Sequence, residues 1–404
     1  MHILFLTSEQ WPTFRADVAA LFGKYLPKFG ITCDLVTERD QSNPNKIDTT
    51  WPAGQAILCD LPANRAAQYV AKFWHQSRVL LTADYKKYDA IQVRDMTFIA
   101  LLAMLVAKLK GIPFFYWLSY PQSEGQVQRA KARGAKAGLR YWFPLLQGSI
   151  GQWLLYKVIL PKAQHVFVQS EQMKLDIAKH GIPLAKMTPV PMGVDLEIAQ
   201  PEKIVPSDDV RLVAKRVLIY LGTLDRVRKI EVLFEMLAIV KQQIPNVLLV
   251  LVGDTEDAGH RQWLKDEASR LDVNSHILWT GWMPMSEGWR YVRAAEIGLS
   301  PIPRGYLLDM GSPTKAAEYM ALGLPVLAND NPDQVNVINE SGAGLCVPLV
   351  AEAFAQAAIT LMNNTALCQK MSGLGKAYVK QHRGYAELSQ SLAQQYQSLI
   401  SKRS

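Results

Sequence analysis

The chain has 404 residues, 49% of them apolar and 20% charged, a composition that excludes wholesale disorder and leaves room for two or three domains. Its four cysteines show no CxxC spacing, which argues against a disulfide framework or a zinc site and fits a reducing compartment. The net charge of +8 lies wholly in residues 1–200, which hold 23 Lys/Arg against 15 Asp/Glu, while residues 201–404 hold 21 of each.

In chain order, HILFLTS is an apolar run of the kind a buried parallel strand makes. The start MHILFLTSEQWP lacks the basic lead and long apolar run of a signal peptide. DVAALFGKYLPKFG reads as helix, ITCDLVTE and YDAIQVRD as strands, and TFIALLAMLVAKLKG, from Thr97, as a helix too short to span a bilayer. GIPFFYWLSY and AQHVFVQS are further strands, EQMKLDIAKHG a helix, and MTPVPMGVDLE closes the first unit. The proline-rich PEKIVPSDD is the expected hinge. The alternation then restarts: strands RVLIYLGTLD, NVLLVLVGD, HILWTGWM, IGLSPIP, PVLAND and GLCVPL, with helices between them. A polar–apolar helix from Tyr385 ends the chain. Strands alternating with helices imply α/β structure with parallel, doubly wound sheets, here two Rossmann-like domains. The expected boundaries are 1–199, with a helix at 382–404 packing back on it, and 200–381.

Four stretches of the second half have the types of residue that nucleotide phosphates require. In GSPTKAAEYMALGLPVLAND, Ser312 suits a helix cap, Pro313 the first helical position and Gly323 the left-handed stop. Such a helix start aims the free amides of Thr314, Lys315 and Ala316 at an anion, Lys315 adds charge, and Glu318 can accept hydrogen bonds from a ribose diol. The same features also fit an ordinary cap followed by a solvated acid. In YLGTLDRVRKIEVL a strand ends in a turn at Gly222 and Thr223, and Arg226, Arg228 and Lys229 precede a helix, an arrangement that suits phosphate or a basic surface loop. VLVGDTED places Gly253 and Asp254 after a strand, and LWTGWMPMSE places Trp282 and Met283 in a loop able to flank a flat base.

The order of these segments resembles the C-terminal domain of the family-4 retaining glycosyltransferases of the GT-B fold. VFVQSEQMKLDIAKHGIPLAKMTPVPMGVD is similar to that family's interdomain segment. The resemblance implies a donor cleft between the two domains and transfer of a hexosyl unit from a UDP- or GDP-linked sugar, with retention of configuration, to a glycan or lipid-linked acceptor, as in cell-surface polysaccharide or glycolipid synthesis. It implies no metal and no cofactor besides the donor itself. By the same resemblance Arg228 holds the diphosphate with Lys315, Glu318 holds the ribose, Ser312, Thr314 and Ala316 lie beside the phosphates, and Gly222, Thr223, Gly253, Asp254, Trp282 and Met283 line the donor. The chain departs from the family at Met310, where an upstream glutamate is usual, at SEQWPTFRADV, where a glycine-rich loop is usual, and at Ser119 and Tyr120, near a usual histidine. A non-catalytic nucleotide-sugar-binding or membrane-associated partner subunit, or an epimerase of the same architecture, is the alternative.

Residues Gly125 to Ser170 contain seven basic residues and no acid, and residues 125–162 interleave Trp142, Phe143, Leu146 and Trp153 with that charge. The pattern suits an anionic membrane surface, or a core helix with a basic outer face. Nucleic acid is not expected, since no binding module accompanies the charge. Pro144, Gly148 and Gly151 argue against one unbroken helix here. The expected location is cytoplasmic, peripheral on the cytoplasmic membrane face.

Overall fold

The computed structural model describes residues 1–13, 15–40 and 50–401. The chain divides into two compact units, Met1–Met192 with Tyr385–Ser404, and Gly193–Gly384. The chain passes between them at Met192/Gly193 and Gly384/Tyr385, so the proline-rich stretch 201–209 lies inside the second unit.

In the first unit the described residues form a parallel sheet of seven strands: β1 (His2–Leu6), β2 (Thr32–Glu38), β3 (Ala56–Cys59), β4 (Ala90–Arg94), β5 (Phe114–Leu118), β6 (His165–Val168) and β7 (Met187–Pro189). They are ordered β3-β2-β1-β4-β5-β6-β7. Their apolar runs are buried because helices cover both faces. A π-helical segment, Asp17–Tyr25, and the C-terminal helix cover one face. Tyr396 of that C-terminal helix is fully buried against Phe115 and Phe167, and its hydroxyl donates to Gln92 at 2.5 Å. The other crossovers carry α1 (Arg65–Thr82), α2 (Thr97–Lys110), α3 (Gln122–Arg133), α4 (Leu139–Leu154), the short α5 (Leu160–Lys162) and α6 (Glu171–Ala178).

Helix α4 corrects one expectation, because it runs unbroken through Pro144. The proline removes the donor that Arg140 C=O would accept from, and the Arg133 guanidinium takes its place, Nη1 donating to that oxygen at 3.4 Å. Gly148 and Gly151 are its buried residues, and they let α4 lie close against α3 at Ser123, where a Cβ on either would overlap that residue.

The second unit holds a parallel sheet ordered β10-β9-β8-β11-β12-β13 among the described residues. The strands are β8 (Arg216–Leu221), β9 (Val247–Val252), β10 (Ile277–Gly281), β11 (Ile297–Ser300), β12 (Val326–Asn329) and β13 (Gly344–Val347). Helices α7 (Glu231–Gln243), α8 (Ala258–Arg270), α9 (Met285–Arg293), α10 (Tyr306–Asp309), α11 (Thr314–Ala321), α12 (Pro332–Ser341), α13 (Ala351–Met362) and α14 (Thr365–Tyr378) pack around it, and α15 (Tyr385–Ser401) is the C-terminal helix of the first unit. Two apolar layers, one per sheet face, hold this unit together.

Candidate donor site

The order of the second sheet reverses direction between β8 and β11, which pair directly. A crevice at the carboxyl ends of two such strands is where open α/β sheets bind ligands. The turn after β8 and the helix before β12 meet there.

The turn after β8 is held tightly. Gly222 N–H donates to Val252 C=O at 2.8 Å, Leu224 N–H to Asp254 C=O at 2.9 Å, and Gly253 N–H to Gly281 C=O at 3.1 Å. Gly222 and Gly253 have φ of +147° and +130°, and a Cβ on Gly253 would overlap the carbonyl oxygen of Gly222. A Cβ on Gly222 would stand 2.7 Å from Lys315 Cε. Glycine at both positions is therefore what lets two turns and a lysine share one place.

Of the three cations after that turn, the structure separates one from the others. Arg226 pairs with Asp257 at 3.5 Å on the surface, and Lys229 is exposed. Arg228 is half-buried, its Nε is buried without a hydrogen-bond partner, and it forms no ion pair among the described residues. The Thr223 hydroxyl is likewise buried and unpartnered, while its carbonyl accepts from Tyr220 Oη at 2.9 Å. Buried polar groups left open beside a crevice are groups that a ligand can satisfy.

Helix α11 supplies the other wall. Its first amides, those of Thr314, Lys315 and Ala316, come before any intrahelical bond can form. Lys315 Nζ lies 5.2 Å from the centre of the Tyr220 ring. Burial lowers its pKa to about 7, with the nearby Arg228 charge acting in the same direction and Glu318 opposing. Burial raises the Glu318 carboxyl, and Lys315 offsets part of the rise. Glu318 makes no side-chain hydrogen bond or ion pair among the described residues, so its carboxylate is open to accept from a ligand. Tyr319, one residue on, is fully buried and anchors the helix by donating to Leu299 C=O at 3.4 Å while accepting from Leu221 N–H at 2.8 Å.

Several expected residues have other duties. Ser312 does not cap α11, because Pro313 occupies the cap position and no side chain caps the helix. The Ser312 hydroxyl donates to Asp333 Oδ2 at 2.9 Å and accepts from Arg383 Nη1 at 3.0 Å. Arg383 and Asp333 form a buried ion pair at 2.8 Å, so the chain entering α11 is tied to residues far away in sequence. Asp254 accepts from Arg261 Nε at 2.7 Å and from Thr255 N–H at 2.7 Å, which makes it a brace of the turn. Met283 packs on the core, whereas Trp282 is exposed. Gly323 has φ of +83° and ends the helix as expected. Met310 is buried, and the neighbouring Asp309 is engaged by Arg304 at 3.0 Å, so no second acid is free at that place.

The first unit has its own switch point between β1 and β4. There Arg94, fully buried, donates to Glu9 at 2.8 Å and Asp17 at 2.9 Å. Asp95, at φ of +59°, accepts from Ser119 N–H at 2.7 Å, from the Ser119 hydroxyl and from Tyr120 N–H at 3.3 Å. Burial raises its pKa against the pull of Arg94. Sequence reasoning noted Ser119 and Tyr120 but missed Glu9, Arg94 and Asp95; the acidic and basic residues immediately after β1 and at the end of β4 were the available signal.

Known proteins resemble the chain in family and in fold. Residues 208–377 match the family model of glycosyl transferases group 1, and residues 17–198 match that of glycosyltransferase family 4. No curated protein sequence matches the chain. The fold is similar to that of sucrose-phosphate synthase from Thermosynechococcus elongatus, with a TM-score of 0.73 at 18% identity over 100% of both chains. Anabaena HepE, solved with UDP, gives 0.71 at 15% identity over 98% of this chain and 100% of its own. WaaG, a glycosyltransferase involved in lipopolysaccharide biosynthesis, gives 0.69 at 14% identity over 97% and 98%. The two family matches, one in each unit, and the architecture shared with these structures identify the chain as a glycosyltransferase of the GT-B fold.

Proposed function

We propose that the protein transfers a hexosyl unit from a nucleotide-diphosphate sugar to a glycan or lipid-linked acceptor with retention of configuration, in the synthesis of a cell-surface polysaccharide or glycolipid. The observation that carries the donor assignment is the meeting of Arg228, Lys315 and Glu318 at one switch point, each with open polar capacity. Arg228, Lys315 and the α11 amides take the diphosphate, and Glu318 takes the ribose hydroxyls. The HepE structures with UDP and UDP-glucose make a uridine donor the first to try.

In the proposed step the bond from the anomeric carbon to the β-phosphate oxygen breaks, and negative charge grows on the leaving diphosphate. Arg228, Lys315 and the helix amides are already oriented toward that charge, which is how preorganised donors lower a barrier. The acceptor hydroxyl bonds to the anomeric carbon on the face the phosphate leaves, and its proton passes to a phosphate oxygen. No protein base and no cofactor is assigned. Residues 125–162 of the first unit dock on an anionic membrane surface, where a lipid-linked acceptor resides.

The test is donor hydrolysis and transfer with UDP- and GDP-sugars, comparing wild type with Glu318→Ala and reading the product's anomeric configuration by NMR. An inverted product removes the retaining mechanism, and unchanged kinetics in Glu318→Ala removes the donor assignment.

A further inference from the structure

Three helices of the first unit expose large apolar side chains on their outer sides. Helix α1 buries Gln76 and Ser77 beside Leu80, yet Tyr69 is 75% and Trp74 70% exposed, with Phe73 beside them. Helix α4 buries Gly148 and Gly151 and exposes Phe143 together with Trp142, Leu146 and Trp153, the last three spaced four and seven residues apart along one stripe. Helix α2 buries Ile99, Ala103 and Val106 as an amphipathic helix does, and in addition exposes Leu105 and Leu109. The amphipathic rule expects polar residues at those exposed positions.

These helices share one side of the sheet. Helix α1 joins β3 to β4, α2 joins β4 to β5, and α4 lies between β5 and β6. Each crossover moves in the same direction across the strand order, so right-handed connections put all three on the same face. α2 touches both α1 and α4.

Charge selects the occupant. No acid occurs in α1, α2 or α4, while exposed Arg78, Lys108, Lys110 and Arg140 stand among the apolar residues. A second copy would bring these cations against their own equivalents, since a two-fold contact pairs like with like. An anionic bilayer meets both features, taking Trp and Tyr at its interface and Lys and Arg at its headgroups. Beside Leu105 a cavity of about 490 Å³, with Met104, Ile112 and Phe114 for walls, opens between Lys108 and Lys162, a shape and charge suited to an acyl chain below a phosphate.

We infer that the outer face formed by α1, α2 and α4 together seats the protein on an anionic bilayer, with α1 contributing as much as α4. This rests on the membrane docking of residues 125–162 proposed above and extends it to helices outside that segment. The test is flotation of the full chain with vesicles of phosphatidylcholine alone and with a third phosphatidylglycerol. The variants are Phe73→Ser/Trp74→Ser on α1, Trp142→Ser/Phe143→Ser on α4 and Lys108→Glu/Lys110→Glu on α2, each with its melting midpoint as a check on folding. The expected result is that wild type floats only with the anionic vesicles and that each variant, melting like wild type, loses about tenfold or more in partition. Wild-type partition in both the α1 and the α2 variant, with loss in the α4 variant, overturns this inference and leaves docking through 125–162 standing. Failure of wild type to float, or equal flotation on neutral vesicles, overturns both.

Discussion

The ammonium of Lys315 lies over the ring of Tyr220 at 5.2 Å, and the backbone of Gly222 leaves the room it needs. One strand end thus supplies both the aromatic floor and the empty space for a cation carried by a helix from elsewhere in the sheet. The position keeps a charge near the crevice, but burial there costs solvation.

That cost makes Lys315 pH-sensitive in a defined direction. Its pKa in the folded chain is about 7, below the ordinary 10.5. Between those values the unfolded chain binds a proton that the folded one lacks, so this group makes stability rise with pH from about 7 to about 10.5. A diphosphate placed beside Lys315 favours the ammonium and draws a proton in. Calorimetry of UDP binding at pH 8 in buffers of different ionisation heat is expected to show proton uptake, which Lys315→Met abolishes.

Glu318 is expected to act through the ribose. Glu318→Ala lowers kcat/KM for the donor about 10- to 100-fold, the value of hydrogen bonds to a charged group. A donor lacking both ribose hydroxyls loses as much with wild type and nothing further with the variant. Steady-state kinetics with the two donors checks this, and additive losses would contradict it.

Gly253→Ala is expected to destabilise the protein by about 3 kcal/mol, because the methyl group overlaps Gly222 C=O and the backbone sits at positive φ. Gly373→Ala, inside α14 with open space around it, serves as the control and stabilises by up to about 1 kcal/mol. Urea unfolding midpoints separate the two.

Arg383→Met leaves Asp333 charged and buried without its partner, a loss of about 3–5 kcal/mol. Because the same guanidinium holds Ser312 ahead of α11, donor affinity falls too. Arg383→Met/Asp333→Leu recovers most of the stability but not the affinity, as read by thermal unfolding with and without UDP.

Much of the fold was legible in local pattern. The strands β1, β8, β9 and β12 are continuous apolar runs bounded by polar or turn residues, and Gly323 stops α11 where its sequence says it should. Lys315 and Glu318 stand out in the sequence because they lie early in a helix, whereas Arg226, Arg228 and Lys229 follow the strand together and only the resemblance singles out Arg228. Other features depend on distant partners. Ser312 looks like a cap until Arg383, 71 residues on, and Asp333 claim its hydroxyl. Helix α1 was missed because it buries Gln76 and Ser77 beside Leu80 while exposing Tyr69, Val70, Phe73 and Trp74, which blurs its periodicity. Pro144 stays inside α4 because Arg133, in the preceding helix, covers the carbonyl it frees. Asp95 is the neighbour of Arg94, but Glu9 and Asp17 reach it from 85 and 77 residues away, so the charged residues after β1 and β4 are visible in the sequence while their pairing is not.

A crystal structure of the protein with UDP tests the central claim most directly. The account predicts diphosphate oxygens about 3 Å from the Arg228 guanidinium and from the first amides of α11, with the ribose hydroxyls on Glu318. A nucleotide bound out of reach of all three would contradict it.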